Sequence, residues 1–92
     1  MKYRIKENFV VRHILDDNLV VPTGDAMAGF LGTIVLSETA CYVWEQLQKD
    51  RTEEELVNCV LQEYACERSQ AAEDVHALLL KLDDYGVLEK TD

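Results

Sequence analysis

Two histidines, three cysteines and a run of carboxylates are the residues of this chain that could act on a substrate. Catalysis needs a nucleophile, a base or a metal held within hydrogen-bond reach of one another. His13 falls in a stretch that reads as a strand, with no carboxylate at a telling spacing. Glu73 and His76 stand at i and i+3 of one predicted helix, which is metal-compatible, but no second such pair completes a site. They read better as a solvated ion pair. Cys41 adjoins the apolar stripe of the first predicted helix and reads as a small core hydrophobe. Cys59 and Cys66 can share a helix side only if the second helix runs that far. No C-x-x-C, H-E-x-x-H or P-loop pattern occurs. The run Glu53, Glu54, Glu55 suits a first helical turn, where carboxylates favour the helix dipole. The expectation is a protein that is not an enzyme, with no catalytic set, no metal site and no cofactor.

The elements that must position any site follow from periodicity and turn chemistry. Residues 1–8 are polar and alternating, and read as a loose lead-in. Residues 9–15 are β-branched and aromatic, a strand pattern. Asp16, Asp17 and Asn18 supply a turn, with Asn18 suited to the left-handed conformation, and residues 19–21 return as a second strand stopped by Pro22. Residues 22–32 hold the only proline and three of the four glycines and read as a loop. Met27, Phe30 and Leu31 suggest that this loop folds back onto the core. Thr33, Ile34, Val35 and Leu36 form a short third strand.

Three helices follow. Ser37 caps the first, with Ala40, Val43, Trp44 and Leu47 as its buried stripe. Thr52 and Glu55 form a capping box for the second, whose stripe is Leu56, Val57, Val60, Leu61 and Tyr64. Ser69 or Gln70 opens the third, with Ala72, Val75, Leu78, Leu79 and Leu82 on one side and Gly86 ending it. Val87 and Leu88 add a last extended pair. The order gives an α+β fold class: three short strands, then a three-helix cluster over residues 37–86, in one domain spanning 1–92. The nearest general architecture is a winged helix-turn-helix.

At 92 residues the chain needs nearly every large apolar side chain for its core. Its formal charge of −9 repels a phosphate backbone and favours a basic partner surface, so nucleic acid is disfavoured. No 18-residue apolar run offers a membrane span, no apolar signal-peptide region follows the basic start, and the odd cysteine count reads as reduced thiols. A cytoplasmic location is expected.

The most informative stretch is the third strand. The hairpin satisfies its own pairing, which leaves this strand one free edge. Proteins usually blunt such edges with charge or proline, and residues 33–36 carry neither. An unguarded edge beside an apolar helix is what strand addition by a guest peptide requires. Leu80 falls outside the stripe of the third helix, beside His76 and Ala77. It fits a groove, a homodimer contact, or an ordinary exposed leucine.

Several segments taken in order resemble the PqqD family: FVVRHIL at 9–15, GTIVLSETA at 32–40, VWEQL at 43–47, TEEELV at 52–57 and LDDYGVL at 82–88. The resemblance implies a RiPP recognition element, a winged-helix-like domain that binds the leader of a ribosomally made precursor peptide. It implies that the leader adds as a strand beside Thr33, Ile34, Val35 and Leu36, with Ala72, Val75, His76 and Leu79 opposite. It also implies a modifying enzyme as second partner, a radical SAM protein or another. The 22–32 loop is longer and richer in glycine than the link in the founding branch, so a product other than pyrroloquinoline quinone is compatible. The readings that compete are a winged-helix DNA-binding protein, for which the third helix offers only Lys81 and the preceding Arg68, and a structural homodimer.

Overall fold

The structure, a computed structural model, describes residues 1–24 and 34–92. In these residues five strands and three helices run in the order β1 (Lys2–Ile5), β2 (Phe9–Ile14), β3 (Asp17–Pro22), β4 (Ile34–Leu36), α1 (Glu38–Gln46), α2 (Glu53–Glu63), α3 (Arg68–Asp84) and β5 (Leu88–Thr91). The mixed α+β class holds, with two corrections at the ends. The lead-in expected over residues 1–8 contains a strand, and the closing extended pair is a full strand that runs to Thr91. β1 and β5 pair antiparallel, from Lys2 opposite Thr91 to Ile5 opposite Leu88. One residue, Ile5, carries most of the core contribution of β1 and is 4% exposed.

The second sheet is antiparallel in the order β2-β3-β4. The turn of its hairpin sits earlier than the sequence suggests: Ile14 pairs with Asp17, and Leu15 takes the left-handed conformation at φ 56°. Asn18 lies inside β3, opposite His13 and opposite Leu36. Cross-strand register overrode the local preference of asparagine for turns. The loop expected over 22–32, with Met27, Phe30 and Leu31, and the strand position of Thr33 lie outside the described residues, apart from Pro22 at the end of β3 and the two residues after it.

The helices form where cap and stripe place them. The Ser37 hydroxyl accepts from the Ala40 N–H at 3.1 Å. Thr52 and Glu55 close a reciprocal capping box: the Glu55 N–H donates to the Thr52 hydroxyl at 3.1 Å, and the Thr52 N–H donates to the Glu55 carboxylate at 2.8 Å. α3 starts at Arg68, one residue before the earlier of its two expected openings. It ends with Gly86 at φ 76°, the Gly86 N–H donating to Asp83 O and the Val87 N–H to Leu82 O. This paired pattern is a Schellman motif, and Val87 and Leu82 are both fully buried beside it. Trp44, Leu47, Leu56, Val60, Val75 and Leu82 join Ile34, Leu36 and Ile5 in one core. Ala71, rather than Ala72, is the small residue packed without exposure at the start of α3.

Candidate functional site

β4 is three residues long, and its pattern is in, out, in: Ile34 and Leu36 are buried, whereas Val35 is 48% exposed. β3 covers one side of it through the pairs Asn18 with Leu36, Leu19 with Val35 and Val20 with Ile34. The Asn18 side chain tightens that side further, since its Nδ2 donates to Leu36 O at 3.3 Å while its Oδ1 meets His13 Nδ1. Among the described residues no strand pairs with the other side. In an antiparallel ladder the main-chain groups of successive residues alternate between the two sides. The residue whose carbonyl is reached from the open side is Val35: Lys81 Nζ of α3 donates to Val35 O at 3.4 Å.

α3 forms the facing wall. Just past the end of β4 lies a cavity of about 290 Å³ between the helices, lined by the start of α1 from Ser37 to Val43, by Val60 of α2 and by Asp74, Ala77 and Leu78 of α3. Positions 74, 77, 78 and 81 recur at i, i+3, i+4 and i+7, so they share one flank of the helix. This flank of α3 therefore has an apolar middle at Ala77 and Leu78 and a charge at each end, Asp74 at the cavity and Lys81 at Val35 O of β4, two turns apart.

The expected site residues separate into two groups. Val75 is buried and lines the cavity just past β4, on the same flank of α3 that reaches Val35 through Lys81. His76 and Leu79 lie on the other flank of α3, lining a shallower depression of about 100 Å³ with Glu53, Tyr3 and Leu88. His76 Nδ1 stands 3.2 Å from Glu53 Oε2, so Glu53 rather than Glu73 is its ion-pair partner. Ala72 is half-buried against the core. The physical reason is the 100° turn per residue. A broad apolar stripe tells which residues are buried, but not which margin of the stripe faces the sheet. The expected set does not include Asp74, Ala77 and Lys81, which share the flank of α3 that borders the cavity and Val35. Their shared i, i+3, i+4, i+7 spacing with Leu78 was the available signal.

Three titratable groups outside this flank of α3 depart from their ordinary values. Burial, reinforced by Glu45, pushes the Cys41 thiol up, away from the reactive thiolate. Tyr42 is likewise pushed up, first by burial and then by Cys59, and its hydroxyl donates to Cys59 O at 3.3 Å. Glu55 is held below the usual carboxylate range by the hydrogen bonds from Thr52, a structural role. Among the described residues no cluster of three or more His, Cys, Asp or Glu side chains could hold a metal ion.

The model of the family described as Coenzyme PQQ synthesis protein D (PqqD) matches residues 22–88, which include β4, the groove and all three helices. The chain belongs to the PqqD family. Two solved structures share the PqqD fold seen here. TbiB1, in complex with the TbiA(beta) leader peptide, is 22% identical with a TM-score of 0.73, over 97% of this chain and 98% of that one. Lasso peptide synthetase B1, complexed with the leader peptide, is 20% identical with a TM-score of 0.73, over 98% of this chain and all of that one. No curated protein matches the sequence. Among the described residues no helix is long and apolar enough to cross a membrane.

Proposed function

We propose that this PqqD-family protein is a non-catalytic adaptor that holds the leader of a ribosomally made precursor peptide as an added strand on β4. It presents that peptide to a modifying enzyme, a radical SAM protein being the expected kind. The observation that carries this reading is the side of β4 that no strand pairs among the described residues, where Val35 O is met by Lys81 of α3. Main-chain hydrogen bonds would supply affinity there, and the cavity at Ala77 and Leu78 would take a guest side chain. The leader complexes of TbiB1 and lasso peptide synthetase B1, built on the same fold, support this use of the scaffold. Function then follows from effective concentration. Tethering the precursor makes a weak encounter with the enzyme intramolecular.

The α2–α3 pair beside the β2–β3 hairpin is, in this proposal, a winged-helix-type scaffold turned from nucleic acid to peptide. The helix pair offers a phosphate few cations: Lys81, whose Nζ meets Val35 O, and Arg68, whose Nη2 donates to Asn58 Oδ1, 2.8 Å away. Leu80 is 54% exposed and lies outside the groove, beside the depression at His76, which leaves it for the enzyme or a second copy. The test is backbone amide NMR with the leader of a precursor encoded beside this gene. Chemical-shift changes centred on residues 34–36 and 74–81 are expected. Shifts that spare residues 34–36, or none, refute the docking pose.

A further inference from the structure

We propose that the groove selects its guest by charge: an extended peptide with a basic side chain followed, two or four residues toward its C-terminus, by an acidic one, the first meeting Asp74 and the second Lys81. This rests on the reading that a peptide strand docks on β4, and it names the chemistry that such a peptide must carry.

Lys81 guards the open side by donating to Val35 O. A docking strand must take that carbonyl with its own N–H, which releases the ammonium group into the groove. Neither ion pair found among the described residues involves Lys81, so its charge has no carboxylate partner there. A carboxylate on the guest supplies one. At the other end, Gln70 Nε2 donates to Asp74 Oδ1 at 2.9 Å, which holds the carboxylate at the cavity and leaves Oδ2 for a cation.

The order and spacing follow from geometry. Val35 lies by Lys81, whereas Ser37, farther along the chain, lines the cavity with Asp74, so β4 and α3 run in opposite directions. A guest antiparallel to β4, as β3 is, passes Asp74 first and Lys81 second. The two positions are seven residues apart on α3, about 10.5 Å along its axis, or about three strand residues. Only alternate side chains of a strand face the helix, so the charged pair must be separated by an even number, two or four. Where the pair is four apart, the guest residue midway between them also faces the helix, and Ala77 and Leu78 call for an apolar side chain there.

The experiment selects random dodecapeptides displayed on phage against the full-length protein, its Lys81→Glu variant and its Asp74→Lys variant, each checked for an unchanged thermal melt. The wild-type protein is expected to enrich peptides with Lys or Arg two or four residues ahead of Asp or Glu. Lys81→Glu should exchange the acidic position for a basic one, and Asp74→Lys should exchange the basic position for an acidic one. A peptide enriched on the wild type should lose about three- to tenfold in affinity on Lys81→Glu, and less at high salt. Enriched peptides with a common apolar pattern but no charge preference, or with one that both variants leave unchanged, overturn the proposal while sparing strand docking. If no peptide is enriched on any of the three proteins, strand docking falls and the charge rule with it.

Discussion

β1 and β4 are both short strands, yet among the described residues one is closed on both sides and the other is paired on one side alone. β5 takes one side of β1 along its whole length. On the other side, the Tyr3 N–H donates to Arg51 O at 2.7 Å, the Arg51 N–H returns to Tyr3 O at 3.0 Å, and the Ile5 N–H donates to Leu47 O at 2.9 Å. β4 has β3 on one side and, among the described residues, a single lysine head group on the other. The chain thus saturates a strand from both sides where stability requires it. The exception lies beside an apolar cavity. Because unpaired strand edges invite association, an edge met only by an exposed lysine is where the proposed guest strand would dock.

The contrast can be broken most severely in the core. Ile5→Ala should cost about 2–4 kcal/mol of unfolding free energy in urea titrations and leave leader affinity per folded molecule unchanged. A loss below about 1 kcal/mol would mean that β1 does not close the core. Val35→Pro is its counterpart on the open side. It removes an N–H that lies on the side of β4 where no strand pairs among the described residues, so leader binding should weaken at least about tenfold, or about 1.4 kcal/mol, with a nearly unchanged melt. Equal affinity for variant and wild type would contradict the pose.

Thr52→Ala sharpens the comparison, because the α2 cap directly follows Arg51, which holds the second side of β1. It should cost about 1 kcal/mol. Glu55, the other half of that cap, has its carboxyl held low in the folded state. Its contribution is therefore complete above the ordinary carboxylate range and is lost as pH falls through the lowered folded value. The stability gap between wild type and Glu55→Gln should narrow in acid, and a gap that widens would refute the assignment. The smallest effect belongs to Leu15→Gly at the hairpin tip. Releasing a left-handed leucine should outweigh the entropy of glycine by about 0.5 kcal/mol, seen as a higher melting temperature without change in leader affinity.

What the sequence makes legible is local. Ser37, Thr52, Glu55 and Gly86 announce the helix ends because each acts on main chain within a few residues. The stripes of α1 and α2 are legible for the same reason, since one helical period repeats. The edge position of β4 could be inferred because a hairpin leaves a following strand a single neighbour. β1 was not legible: four residues with one inward apolar side chain make no periodic signal, and the partner strand lies at the far end of the sequence. The flank of α3 that meets β4 was hidden by its wide apolar stripe. Lys81 was weighed only as a cation for phosphate, although its role is set by a carbonyl forty-six residues away in the chain.

The pairing of Lys2 with Thr91 has a bearing on how such a domain can be carried. Polypeptide enters and leaves at a single doorway, on the flank of α3 turned away from the groove. A host protein can therefore accept the whole unit as an insertion through two short tethers, or bear it at either end, without disturbing the docking face. Sealing the two ends together and cutting instead at the exposed tip between Leu15 and Asp16 would give a rearranged chain whose groove is the same.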